Sequence, residues 1–171
     1  PDVRPERLHH NLLVGDPWKV VMSTDHPNGG SLLAYQQIVR LLMDRTYRSD
    51  VLKTCPKAVR ERTTLGDLDR EYTLNEIAII TRAGPAKILG LTNKGHLGPG
   101  ADADVTIYTP NENRETMFEL PRLVIKAGQV IVEHGEVRTP IAGKTLHVAP
   151  DYDHEREADI HRWLEDGYSL R

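Results

Sequence analysis

Eight consecutive residues, Ser23-Thr24-Asp25-His26-Pro27-Asn28-Gly29-Gly30, carry the side chains best suited to chemistry in this chain. Asp25 follows the apolar run Val20-Val21-Met22 and the small polar pair Ser23-Thr24. In a parallel β/α barrel, catalytic groups project from the C-terminal ends of the strands, and an Asp that closes an apolar strand stands where such groups sit. An ionised carboxylate there could ligate a divalent ion and take a proton from a metal-bound water, whose pKa the metal lowers toward about 7. A second reading is equally open on this pattern alone. Asp before a turn commonly accepts hydrogen bonds from nearby backbone amides, so Asp25 could simply close the loop near Asn28. His26 and Asn28 share that loop and could hydrogen-bond a substrate, although loop His and Asn more often serve turns or face water.

The other constellations carry less. Lys94-Gly95-His96-Leu97-Gly98-Pro99-Gly100 has the look of a phosphate cradle but lacks the Walker spacing and a following helix, so it reads as a tight turn. Asp102 and Asp104 lack the Gly and terminal Glu of a calcium loop and read as solvated turn residues. The tail Asp151-Tyr152-Asp153-His154-Glu155, with Asp159 and His161, is the densest cluster of ligand types, and its charge marks it as a solvated surface segment. There is no His-x-His, no His-Glu-x-x-His, no Cys pair and no Gly-x-Ser-x-Gly. A lone carboxylate cannot assemble a zinc site, which usually takes about three protein ligands.

The elements that must position Asp25 come next. Val20-Val21-Met22 after the turn signal Gly15-Asp16-Pro17 reads as a short, fully buried parallel strand. The loop through Gly30 follows, and Ser31 can cap a helix carrying Leu32, Leu33, Ile38, Leu41 and Leu42. Strand, loop and helix make one β/α unit. Residues 51–62 form a weaker helix candidate interrupted at Pro56, and residues 73–90 a stronger one. There Thr73 and Glu76 fit a capping box and Gly84-Pro85 must kink or divide the helix. Beyond Leu91 the pattern changes to short β-branched runs: residues 105–108, 123–126, 129–132 and 136–138, with Ala127-Gly128 and His134-Gly135 at tight turns. This is a β-meander. Residues 145–148 could add a strand, and a helix is expected around residues 158–164.

Composition sets the outer bounds. With 171 residues, 39% hydrophobic and 27% charged, the chain is globular. A formal charge of -3 with interspersed signs offers no basic stripe for phosphates, which argues against nucleic-acid binding. No apolar run approaches the ~20 residues of a membrane span. The single Cys55 makes no internal disulfide, as expected in a reducing cytoplasm, and in Lys-Thr-Cys-Pro it reads as a turn residue. The opening Pro1-Asp2-Val3-Arg4-Pro5 has neither an initiator Met nor a signal pattern and reads as an internal stretch of a longer polypeptide.

Two stretches converge on one family. Thr81-Arg82-Ala83-Gly84-Pro85-Ala86-Lys87-Ile88-Leu89-Gly90-Leu91, then Lys94-Gly95-His96-Leu97 and Gly100-Ala101-Asp102-Ala103-Asp104-Val105, resemble the C-terminal signature of the amidohydrolase superfamily. Within it, the octet around Asp25 and Leu41-Leu42-Met43-Asp44-Arg45 closely resemble the A subunits of formylmethanofuran dehydrogenases. They are most similar to the A subunits of bacterial formyltransferase/hydrolase complexes. Leu123-Val124-Ile125-Lys126-Ala127-Gly128 and Gly143-Lys144-Thr145-Leu146-His147-Val148 add to this.

The resemblance implies an α/β plus β fold. Residues 1–95 would be the last β/α portion of a TIM-like metal-dependent amidohydrolase barrel, residues 96–150 part of a composite β-sandwich, and residues 151–171 a tail with a helix. It implies two zinc ions and a cytoplasmic enzyme of tetrahydromethanopterin-linked one-carbon metabolism. The enzyme would cleave a formamide on a methanofuran-type carrier, or form it, alongside the other subunits of its complex. Asp25 matches the family's metal-ligating carboxylate and proton shuttle after the eighth barrel strand. The family's His-x-His, carboxylated Lys and two further His have no counterpart in this chain, so the chain alone is expected to be inactive. A cyclic amidase of the same superfamily and a non-catalytic scaffold subunit are the rival readings.

Overall fold

A computed structural model describes residues 10–24, 26–28, 30–147 and 152–168. Residues 10–13 are helical, and Asp16 caps a 3-10 turn over Pro17–Lys19 by accepting from Trp18 N–H at 3.0 Å. An extended segment, residues 20–24, leads to the loop. Ser31 Oγ accepts from Leu33 N–H at 3.1 Å and so caps a 3-10 turn, Leu32–Ala34, which runs into helix α1, Tyr35–Met43. The helix apolar face expected from the sequence is therefore shorter: Leu41 and Leu42 are buried, but Leu33 in the capping turn is 82% exposed.

Asp44 accepts from Tyr47 N–H at 2.8 Å and starts α2, Arg45–Thr54. The chain breaks at Cys55-Pro56, as a proline without an N–H requires, and resumes as α3, Lys57–Arg60. Thr73 and Glu76 form the capping box, with Glu76 N–H to Thr73 Oγ1 at 3.2 Å and Thr73 N–H to Glu76 Oε2 at 2.8 Å. They open a helical run of three parts: α4, Leu74–Ala78; a π turn, Ile79–Ala83; and α5, Gly84–Ile88. Pro85 does not divide the helix. The wider π turn absorbs the residue that has no N–H to give and whose ring would crowd a carbonyl one turn back.

The second half is a four-stranded antiparallel sheet in order β1-β2-β3-β4, formed by Val105–Ile107, Leu123–Lys126, Gln129–Glu133 and Glu136–Val137. Ala127 (φ 49°) with Gly128 (φ 81°), and His134 (φ 50°) with Gly135 (φ 80°), supply the paired positive φ values that two-residue hairpins favour. A bulge lies between Val124 and Ile125. A short helix, α6, Arg114–Glu119, which the periodicity does not announce, joins β1 to β2. Residues 141–147 form no strand, so the expected strand there is not found; Val148 lies outside the described residues. Helix α7 spans Glu157–Tyr168, longer than expected.

The core sits in the first half: Leu12, Val20, Met22, Val39, Leu41, Leu42, Leu65, Tyr72, Ile77 and Ile80 pack together. Among the described residues none beyond Ala86 is fully buried. Among the described residues the sheet is a single layer. Phe118 on α6 bridges the halves by packing on the core and meeting Tyr108 edge-to-face at 4.9 Å between centroids.

Candidate functional site

Asp25, the leading candidate, lies outside the described residues, as does Gly29. What the structure gives is the approach to it. Residues 20–24 are extended, but no strand pairs with them among the described residues, so the expected parallel strand is not present as part of a sheet. Nor is it buried throughout. Val20, Met22 and Thr24 are 7%, 7% and 5% exposed, whereas Val21 is 45% exposed. A two-residue period sends alternate side chains to opposite sides, and only one side here meets the core.

Hydrogen bonds from distant elements help hold this segment. Met22 N–H donates to the Ile80 carbonyl in the π turn at 3.1 Å, and the Tyr35 hydroxyl at the start of α1 donates to the Met22 carbonyl at 3.2 Å. Gly84 lies under the segment: a Cβ built there would stand 3.0 Å from the Ile79 oxygen and 3.6 Å from the Val20 oxygen. The tight contact is with the carbonyl of Ile79 in the π turn, so glycine here relieves crowding within the helical run, while the approach to Val20 is an ordinary van der Waals contact. His26 and Asn28 form an exposed turn together with Pro27, which follows a cis peptide bond. Both side chains are exposed.

Tyr35 and Arg48 make backbone hydrogen bonds that the sequence pattern leaves unmarked. Arg48 is 1% exposed, and its guanidinium donates to the carbonyls of Leu41 at 2.8 Å, Leu68 at 2.9 Å and Arg70 at 3.0 Å. Burial lowers its pKa, and nearby Glu71 acts in the opposite sense. Arg70 in turn reaches the Val14 carbonyl and pairs with Glu76 Oε1 at 2.9 Å.

Asp102 is exposed, as expected from sequence, but it is ion-paired, and Asp104 is only partly exposed. Lys94 Nζ donates to Asp102 Oδ2 at 2.6 Å and to Asp104 Oδ2 at 2.8 Å. Lys126 Nζ also donates to Asp104 Oδ2, and Ala127 N–H donates to Oδ1 at 2.9 Å. Lys126 first, then Lys94 and the Ala127 amide, hold the Asp104 carboxyl well below the usual carboxylate range. Two lysines from separate segments need a counter-charge where they meet, and Asp104 supplies it. The loop 94–100 is a turn, as expected. At Gly95, with φ 79°, a Cβ would lie 2.7 Å from the Ala86 Cβ, so that turn packs directly on α5.

In the tail, Asp153 caps the turn His154–Arg156 by accepting from Glu155 N–H at 3.0 Å, and His154, Glu155, Asp159 and His161 are exposed; Asp151 lies outside the described residues. Among the described residues no group of three or more His, Cys, Asp and Glu side chains could hold a metal ion. Among them, too, no helix is long and apolar enough to cross a membrane.

Comparison with known proteins gives a consistent set. The A subunit of the formyltransferase/hydrolase complex Fhc of Methylorubrum extorquens is 45% identical over 157 residues, which is 92% of this chain and 29% of that protein. Protein FwdA of Methanocaldococcus jannaschii is 42% identical over 138 residues, 76% of this chain and 24% of its own length. The crystal structure of the M. extorquens formyltransferase/hydrolase complex FhcABCD with methylofuran contains a chain that superposes with a TM-score of 0.78 at 44% identity, over 94% of this chain and 29% of that one. This chain thus spans under a third of the length of the relatives it matches. The sequence pattern of the amidohydrolase family matches residues 9–132, from before the extended segment to β3, and the chain belongs to that family.

Proposed function

We propose that this chain is the C-terminal part of a subunit that hydrolyses a formamide on a methanofuran-type carrier, releasing formate and a free amine, or runs the same reaction in reverse. The observation that carries this is the 45% identity, sustained over 92% of the chain, to the A subunit of a formyltransferase/hydrolase complex. On this reading residues 1–95 complete a TIM-like barrel, residues 96–150 contribute strands to a β-sandwich whose other layer lies outside this chain, and residues 151–171 form a tail. The half-exposed faces of the sheet support that division. The partners are the other subunits of such a complex, and the compartment is the cytoplasm.

An amide carbonyl resists attack because its nitrogen donates into it. Hydrolysis therefore needs an activated nucleophile, a stabilised oxyanion and a proton for the leaving nitrogen. Asp25 serves the first and third needs. Its carboxylate takes a proton from water as the water oxygen bonds to the formyl carbon, and returns that proton to nitrogen as the C–N bond breaks. His26 and Asn28, exposed in the same turn, have the polarity to hydrogen-bond the carrier beside the reacting group.

The resemblance implies a pair of zinc ions. The donors in this chain do not make a zinc site by themselves: zinc takes about three protein ligands, and among the described residues no group of three or more His, Cys, Asp and Glu could hold a metal ion. Asp25 would be one ligand, with the remainder drawn from the part of the relatives that this chain does not span. In the complete subunit, Asp25→Asn is expected to reduce kcat by ~10²–10⁴-fold, the usual contribution of a positioned acid–base group. Circular dichroism and assembly with the other subunits should be unchanged. Turnover near wild type in steady-state formate release would refute the assignment.

A further inference from the structure

In the helical run that carries Pro85, the Ile80 carbonyl lacks the donor that a π turn would give it. In a π turn the acceptor at Ile80 would bond the N–H five residues on, which is residue 85, and proline has none. The donor four residues on, Gly84 N–H, is already bound to Ile79 O. The Ile80 oxygen is therefore free to look outward, and it accepts Met22 N–H at 3.1 Å. The other end of Met22 is held by the Tyr35 hydroxyl at 3.2 Å.

This matters because residues 20–24 have no neighbouring strand among the described residues. A ladder would normally fix their register, and a slip by one residue would exchange the buried Val20, Met22 and Thr24 for Val21 and Ser23. Met22 lies three residues before Asp25 in the sequence. We propose that Pro85 and Tyr35 are positioning residues: together they clamp the Met22 backbone and so set the place from which the chain delivers Asp25. The proposal rests on the acid–base reading of Asp25 given above.

The test uses the complete subunit in its assembled complex, with Pro85→Ala, Tyr35→Phe and Asp25→Asn measured side by side. Pro85→Ala restores an N–H that competes for the Ile80 carbonyl. It is expected to speed deuterium exchange in the peptide containing Met22 about tenfold while the peptide covering 74–78 keeps its protection. Because a small misplacement of a reacting group is costly, kcat should fall about tenfold with KM within twofold. Tyr35→Phe should lower kcat about threefold, again without a change in KM, and decides the matter alone if Pro85→Ala does not assemble. Unchanged exchange at Met22 in Pro85→Ala, or a released Met22 with unchanged kcat, or a Tyr35→Phe enzyme with wild-type kcat, overturns the proposal. An active Asp25→Asn enzyme removes the Asp25 reading instead, and leaves the exchange result as a separate measure of the clamp.

Discussion

At the scale of single residues, the most consequential charges lie away from the loop of Asp25. Asp104 receives Lys94, Lys126 and the Ala127 amide, and so joins the turn after α5 to the first hairpin of the sheet. Asp104→Asn keeps an acceptor for the amide but removes the counter-charge of two ammonium groups. The expected loss of stability is ~1–2 kcal/mol, modest because the cluster is partly solvated. It has a defined pH dependence. The folded carboxyl titrates below its unfolded value of about 4, so the stabilisation is complete above about pH 5 and is lost as pH falls from there through the folded value. Denaturant midpoints of wild type and variant in the complete subunit should differ most at pH 7, and the gap should be narrower, though not closed, at pH 3. The sequence displayed Asp102 and Asp104 but not their roles, because the two lysines that define them lie 8 to 22 positions away.

At the scale of elements, one buried guanidinium ties α1 and α2 to the segment before α4. Arg48 on α2 donates to the last turn of α1 at Leu41 and to Leu68 and Arg70, where no regular ladder satisfies the carbonyls. Arg48→Met fills similar volume with an apolar chain and leaves three acceptors unpaired. It should lower stability by ~3 kcal/mol, visible as a shift in denaturant midpoint with little change in slope. Arg48→Lys should recover little of this, since one ammonium cannot span a fork that reaches three oxygens. Helix limits set by local chemistry were legible in advance: the Thr73–Glu76 box, the break at Pro56 and the hairpins at Ala127-Gly128 and His134-Gly135 all depend on residues within a few positions of one another. Helix α6 was not, because its six residues hold too short a pattern to show a period.

At the scale of the whole molecule, the distribution of burial is lopsided. The core gathers before Ala86, and beyond it the sheet and α7 leave apolar surface half covered or open, with Trp163 61% exposed. The chain spans 29% of its M. extorquens relative. If, as proposed, this chain supplies one carboxylate to a shared site, it should neither retain metal nor turn over alone. The purified 171-residue chain, incubated with zinc and desalted, is expected to hold well under one zinc per chain and to release no formate from a formamide. Stoichiometric zinc with activity would show that this chain holds a complete site.

What the sequence determined by itself was local: the acidic residue at the end of an apolar run, the caps and turns, and the motifs from Thr81 to Val105 that mark the family. Each rests on side chains adjacent along the chain, where spacing alone constrains geometry. Tertiary structure decided how the segment before Asp25 is held. Met22 meets Ile80 across 58 positions and Tyr35 across 13, and the acceptor at Ile80 exists because Pro85 lacks an N–H. The sequence shows the missing donor as a helix breaker; only the fold shows which distant amide takes the carbonyl it leaves vacant.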